Sequence, residues 1–197
     1  MDWLAHIIDF VLHIDVHLSE MIAAFGWWVY VILFLIVLAE TGLVIAPFLP
    51  GDSLLFAAGI FAARGDLNVW ILFVSLSVAA VAGDALNYAV GRYLGAKLFR
   101  KEQSRFFKKE YLDRTHEFFE KYGGFTIIIA RFVPIVRTFA PFVAGVGRMG
   151  YPRFFSYNVV GGVGWVAIFT FVGYFFANIG FVKDHFPVVI VAIVLVS

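Results

Sequence analysis

Four charged residues stand inside stretches greasy enough for a bilayer: Glu40 and Asp52 in ETGLVIAPFLPGD, Arg131 and Arg137 in RFVPIVR. A charge at the centre of a membrane helix costs about 2.5–3.5 kcal/mol on insertion scales. Four such charges need each other or a water-filled cavity. Prolines accompany both pairs: Pro47 and Pro50, followed by Gly51, lie between the acids, and Pro134 lies between the arginines with Pro141 beyond. On an unbroken helix the two arginines would not converge on one planar partner. A break lets them converge, and converging guanidiniums suit a phosphate, whose oxygens accept paired hydrogen bonds. Helix N-termini exposed after Pro50 and Pro141 would add amide donors for an anion.

Arg131 and Arg137 are therefore candidate headgroup-binding residues. Glu40 and Asp52 are candidates for proton coupling or gating. A neighbouring arginine favours an ionised carboxylate, whereas a dry setting favours the protonated acid. An anion that competes for the arginines would release the acids to take up protons. Two blander readings stay open. Asp52-Ser53 after Pro-Gly is also a good N-cap for a helix from Leu54, and the arginines would serve equally well as structural counter-ions. Asp84, Asn87, Tyr88 and Arg92 form a secondary polar cluster at helical spacing, in which Asp84 and Arg92 read as a local structural pair. Trp27, Trp28, Trp70 and Trp165 read as interface or packing aromatics.

The surrounding chain is that of a polytopic membrane protein. Of 197 residues, 62% are hydrophobic and 15% charged, with mean hydropathy +0.90, against about 45–50% apolar and 25% charged in soluble domains. Net charge is +1, and the absence of cysteine excludes disulfides and thiolate chemistry. The histidines at 6, 13, 17, 116 and 185 all lie in terminal or connecting segments. That removes the usual base for a serine nucleophile and the usual zinc ligand. Catalysis is not expected, and neither a cofactor, a metal nor a nucleic-acid partner is implied.

The elements that must position the charges follow from apolar run lengths. Residues 3–20 read as an interfacial amphipathic helix, with Asp2 standing where a cleavable signal would be basic. A first repeat, 24–95, contains a broken re-entrant hairpin at 40–63, because neither of its apolar pieces crosses a ~30 Å core alone. It ends in a full span from Asn68 to about Gly95, where Ala79, Gly83, Asn87, Gly91 and Gly95 make a small-residue stripe for close packing. Residues 97–122 form a basic amphipathic segment, and Lys97–Lys121 carries eight Lys/Arg and five Asp/Glu, which places it on the cytoplasmic side. A second repeat, 123–178, has its hairpin at 124–147 and a full span from Tyr151. Residues 186–197 read as the start of a last helix, and a longer chain carrying more of it fits. The halves align Phe56 with Phe142 and Gly59 with Gly145, then GRYLG at 91–95 with GYFFA at 173–177. With the basic segment cytoplasmic, the hairpins would enter from opposite faces and oppose each other, as in inverted-repeat transporters.

ETGLVIAPFLPGD and RFVPIVR, with GDALNYAVGR from Gly83 to Arg92, resemble the signature motifs of the DedA family, also called the SNARE-associated Golgi or VTT family. The resemblance spans about residues 20–180 and is closest to the bacterial DedA branch. It implies a multi-pass protein of the bacterial inner membrane tied to envelope integrity and the proton-motive force. It implies a translocase that returns undecaprenyl phosphate to the cytoplasmic leaflet. By motif position, it puts the functional acids at Glu40 and Asp52 and the functional arginines at Arg131 and Arg137.

The reading is thus an all-α lipid translocase for a phosphate-headed lipid, with membrane lipids and protons as partners and self-association left open. The alternatives are a non-selective phospholipid scramblase and a proton-coupled small-ion or drug antiporter.

Overall fold

A computed structural model describes residues 14–42, 51–98 and 123–177. Residues 3–13 of the interfacial segment, Pro47 and Pro50, positions 99–122 of the basic segment and residues 186–197 lie outside the described residues.

Every regular element described is a helix: α1 Ile14–Phe25, α2 Trp28–Gly42, α3 Gly51–Arg64, α4 Val69–Leu98, α5 at 123–130, α6 Pro134–Val146 and α7 Tyr151–Phe176. Two carry spans of 26 residues, Val69–Leu94 and Tyr151–Phe176. At 1.5 Å per residue each reaches about 39 Å, enough for a ~30 Å hydrocarbon core. α2, at 15 residues, does not reach that length.

Local signals explain the helix ends. Gly26, at φ 52°, stops α1 five residues beyond the expected end at 20. Asn68 caps α4, its Oδ1 accepting from Trp70 N at 2.9 Å and Ile71 N at 3.2 Å. Between α5 and α6, residues 131–133 form a turn. Val133, ahead of Pro134, takes the extended backbone that a following proline favours (φ −119°, ψ 108°), and Pro134 opens α6 where its missing N–H costs nothing. Pro141 departs from expectation. It lies inside α6 without ending it, so the N-terminus available in this segment is at Pro134 and not beyond Pro141. Gly51 is the first residue of α3.

The described residues fall into two units. One lies within Met1–Ile36, Phe48–Ser77 and Val166–Ser197. At its centre is α3, buried on every side from Gly51 to Ala62, the pattern of a helix enclosed by others. α1 packs on α3. On another side α3 meets α7: a Cβ on Gly59 would fall 2.1 Å from the Thr170 carbonyl oxygen, and one on Gly173 would fall 2.1 Å from that of Phe56. The backbones touch at these two glycines, as in small-residue helix crossings.

The other unit lies within Val37–Pro47 and Val78–Trp165. It contains the same crossing between α6 and α4. A Cβ on Gly145 would fall 2.2 Å from the Tyr88 oxygen, and one on Gly91 would fall 2.1 Å from the Phe142 oxygen. Phe56 and Gly59 are the counterparts of Phe142 and Gly145 in the sequence alignment, as Gly91 is of Gly173. Each short helix therefore packs on the long helix of the other repeat, not on the one that follows it. The expected stripe on α4 is used as such: Gly83 abuts Thr41 and Gly42, and Asn87 and Gly91 meet α6. Tyr88, Ile127, Ala130, Ala144, Met149 and Phe154 form the apolar core beside it.

Candidate functional site

Glu40, Asp84, Arg131 and Arg137 all belong to this second unit. α2 is apolar throughout its last three turns until Glu40, which is 3% exposed. α4 brings Asp84, one residue after Gly83 has let α2 approach. The α5–α6 turn brings Arg131, and the first turn of α6 brings Arg137.

The charges pair across elements. Arg131 Nη2 donates to Asp84 Oδ2, and Arg137 Nη2 donates to Glu40 Oε1. The Arg131–Asp84 side chains are 5% and 6% exposed, and those of Arg137 and Glu40 are 13% and 2% exposed. Asp84 therefore does not pair with Arg92, as the local spacing suggested. Arg92 donates instead to the Tyr88 hydroxyl at 2.8 Å, which in turn donates to the Met149 carbonyl. The long-range ion partner wins because Asp84 faces the protein interior, where an unpaired charge is costly, while Arg92 is exposed.

α7 supplies the floor of the site. Arg131 Nη2 also donates to Asn158 Oδ1 at 2.7 Å, and Asn158 Nδ2 is committed to the Val81 carbonyl at 3.0 Å. That second bond fixes the amide so that its oxygen points at the guanidinium. Gly161 and Gly162 leave space for the arginine: Cβ atoms there would stand 3.2 Å from Arg131 Cδ and 3.1 Å from Nη2. Trp165, 1% exposed, has Arg137 Cζ 5.1 Å and Arg131 Cζ 6.0 Å from its ring centroid. One buried indole thus serves both cations, within cation–π range. Its sequence left interface and packing roles open; here it is buried, whereas Trp27, Trp28 and Trp70 are exposed. Asn87 ties the layer together, donating to the Thr138 carbonyl at 2.8 Å and the Thr41 carbonyl at 3.4 Å.

A small cavity, about 10 Å³ and thus room for about one water, is lined by Glu40, Thr41, Asp84, Arg131, Arg137, Thr138 and Trp165. Arg131 Nε is buried beside it with no hydrogen-bond partner among the described residues. Two cations and two anions therefore surround a polar space deep in an apolar fold, with one guanidinium donor uncommitted. Asp52 belongs to the other unit, buried in the first turn of α3, where a carboxylate favours the helix N-terminus. Of the residues in this site, Asn158, Thr41 and Thr138 were not singled out by sequence. A lone amide in the apolar run YNVVGGVGW was the available signal.

Comparison with known proteins identifies the family. A model of the VTT domain matches residues 49–175. Protein DedA of Escherichia coli K12 is 57% identical over 199 residues, covering all of this chain and 91% of that protein. The uncharacterized membrane protein Rv0364 of Mycobacterium tuberculosis H37Rv is 50% identical over 83% of this chain and 72% of its own length. The inner membrane protein YqjA of E. coli K12 is 37% identical over 74% of this chain and 66% of its own length. No solved structure matches. With two helices among the described residues long and apolar enough to cross a bilayer, this is a multi-pass protein of the bacterial inner membrane. The chain belongs to the DedA family, the family of the VTT domain.

Proposed function

We propose that the protein moves a phosphate-headed lipid, most simply undecaprenyl phosphate, between leaflets of the inner membrane in exchange with protons. The observation that carries this reading is the pair of arginines, buried Arg131 and part-buried Arg137, that share Trp165 and face one polar cavity with a carboxylate on each. Guanidinium forks match phosphate oxygens. A long apolar tail has no need to enter so small a cavity and stays in the bilayer. Glu40, released when the headgroup takes Arg137, accepts a proton, and Asp52 gates or couples at the N-terminus of α3. The aligned halves serve as an inverted repeat whose broken segments are re-entrant, giving the site access to each face in turn.

The test is transport in proteoliposomes of undecaprenyl phosphate against a zwitterionic phospholipid, for wild type and Arg131→Ala, with and without an imposed pH gradient. Selective, gradient-sensitive movement that Arg131→Ala abolishes is expected. Equal movement of both lipids without a gradient would make the protein a scramblase. A second reading draws on the same ion pairs: with each arginine already neutralised, the acids could exchange protons for small cations. Movement of neither lipid would favour that antiporter.

A further inference from the structure

We propose that Asp84 is a second proton-carrying acid of this site, so that a phosphate monoester dianion held by Arg131 and Arg137 carries two protons with it. This rests on the phosphate-lipid reading above and extends it to a residue whose sequence context suggested only a local structural pair.

The argument is one of charge balance in a closed space. Arg131 pairs with Asp84 and Arg137 with Glu40, so the resting set is neutral. The cavity has room for about one water, too little for a phosphate beside both intact pairs. A headgroup therefore enters only by taking the guanidiniums from their acids. Both arginines would then be matched by the dianion, and two carboxylates, 3% and 4% exposed as residues, would each lose the guanidinium that neutralises it. Stranding a buried charge costs several kcal/mol per ion even after relaxation. Protonation of each carboxylate removes that cost and restores neutrality.

Among the described residues, the cations acting on Asp84 are Arg131 and Arg137, and its surroundings offer no other cation. Glu40 from α2 lines the same cavity and is itself an anion. α7 presents Asn158 and Trp165, neither of which titrates in this range. Tyr88, one turn further along α4, is committed to Met149 and Arg92. In the proton step an O–H bond forms on each carboxylate, and both protons come from the aqueous phase the headgroup has just left. When the headgroup departs on the other side, both O–H bonds break, the protons leave with it, and the two ion pairs close again. A net charge of zero crosses with each lipid.

The deciding experiment is the proton count on binding. Undecaprenyl phosphate is titrated into the full chain in detergent at pH 8, where a phosphate monoester is almost wholly dianionic because its second pKa is about 6. Calorimetry in buffers of different ionisation heat gives the protons taken up per lipid bound. About two are expected for wild type, and about one each for Asp84→Asn and Glu40→Gln, since each substitution removes one titratable acid. A wild-type count of one or less, or a count in Asp84→Asn equal to wild type, overturns the proposal. If Asp84→Asn does not purify as a folded protein, Glu40→Gln combined with Asp52→Asn decides: one remaining proton supports Asp84 as its acceptor, and none overturns it. A wild type that binds no lipid overturns the phosphate-lipid reading itself, an outcome distinct from a wrong count.

Discussion

Arg131 donates to Asp84, 47 residues earlier in the chain, where the two side chains are only 5% and 6% exposed. Neither residue is replaceable alone. Removing one partner leaves a buried charge and costs about 3–5 kcal/mol, whereas replacing both by apolar side chains of similar volume is often neutral. Arg131→Ala also strands Asn158 Oδ1, whose amide is held in place by Val81. We expect Arg131→Ala and Asp84→Leu to lower thermal stability in detergent sharply, and Asp84→Leu with Arg131→Met to regain most of the loss without regaining transport. Additive losses in the double variant would show that the two residues do not act as a pair.

The two matching helix crossings make a second prediction, about stability alone. Gly91, Gly145, Gly59 and Gly173 would each drive a Cβ to 2.1–2.2 Å of a backbone oxygen on the facing helix. Backbone cannot step aside as a side chain can, so the helices must separate. Alanine at any of the four is expected to destabilise by about 1–3 kcal/mol, the usual range for overpacking. Gly164, also in α7, has nothing within 4 Å of a built Cβ. There alanine should be neutral or stabilising, since it improves helix propensity by up to about 1 kcal/mol. Comparable melting temperatures for Gly145→Ala and Gly164→Ala would contradict the crossing geometry.

How much of this was legible in the sequence depended on whether the signal was local. The spans at 69–94 and 151–176 follow from apolar run length, and the turn before Pro134 follows from the restriction proline puts on the preceding residue. Glu40, Arg131 and Arg137 stood out because a charge in an apolar run needs a reason. Partner choice was not local. Arg92 lies two turns from Asp84 on the same helix, but Asp84 faces inward and finds Arg131. Nothing in the spacing of α4 reveals which way that helix turns until α6 and α7 are packed on it. Trp165 reads from sequence as an interface or packing aromatic, and its contact with both arginines is visible only once the helices are packed. Pro141 shows the reverse: a strong local breaker was absorbed within α6, whose flanks are held by the Gly145 and Phe142 contacts with α4.

Lysine substitution separates charge from geometry. At 131 a single nitrogen of the guanidinium serves both Asp84 and Asn158, and the planar group lies against Gly161 and Gly162. A lysine keeps the charge but lacks the fork and the flat face. Arg131→Lys and Arg137→Lys are each expected to fold and to lose at least tenfold in phosphate-lipid transport, about 1.4 kcal/mol of lost interaction. Full transport by both variants in proteoliposomes would argue that the arginines act as bare charges and do not clamp a headgroup.

Trp165 supplies the last test, because its role does not depend on charge. It is 1% exposed and lies 5.1 Å from one guanidinium carbon and 6.0 Å from the other. A desolvated cation–π contact contributes up to about 2 kcal/mol, and an indole shared by two arginines also sets the distance between them. Trp165→Phe keeps an aromatic face, while Trp165→Leu keeps only apolar bulk. Transport is therefore expected to fall modestly in the first and about tenfold or more in the second, with the half-saturating lipid concentration rising as the clamp loosens. Trp70→Leu is the control, since that ring is 64% exposed and packs only on Phe73 and Phe171 among the described rings. Equal transport by Trp165→Leu and Trp70→Leu would mean that the shared indole is packing alone and that the two arginines are positioned by their carboxylates.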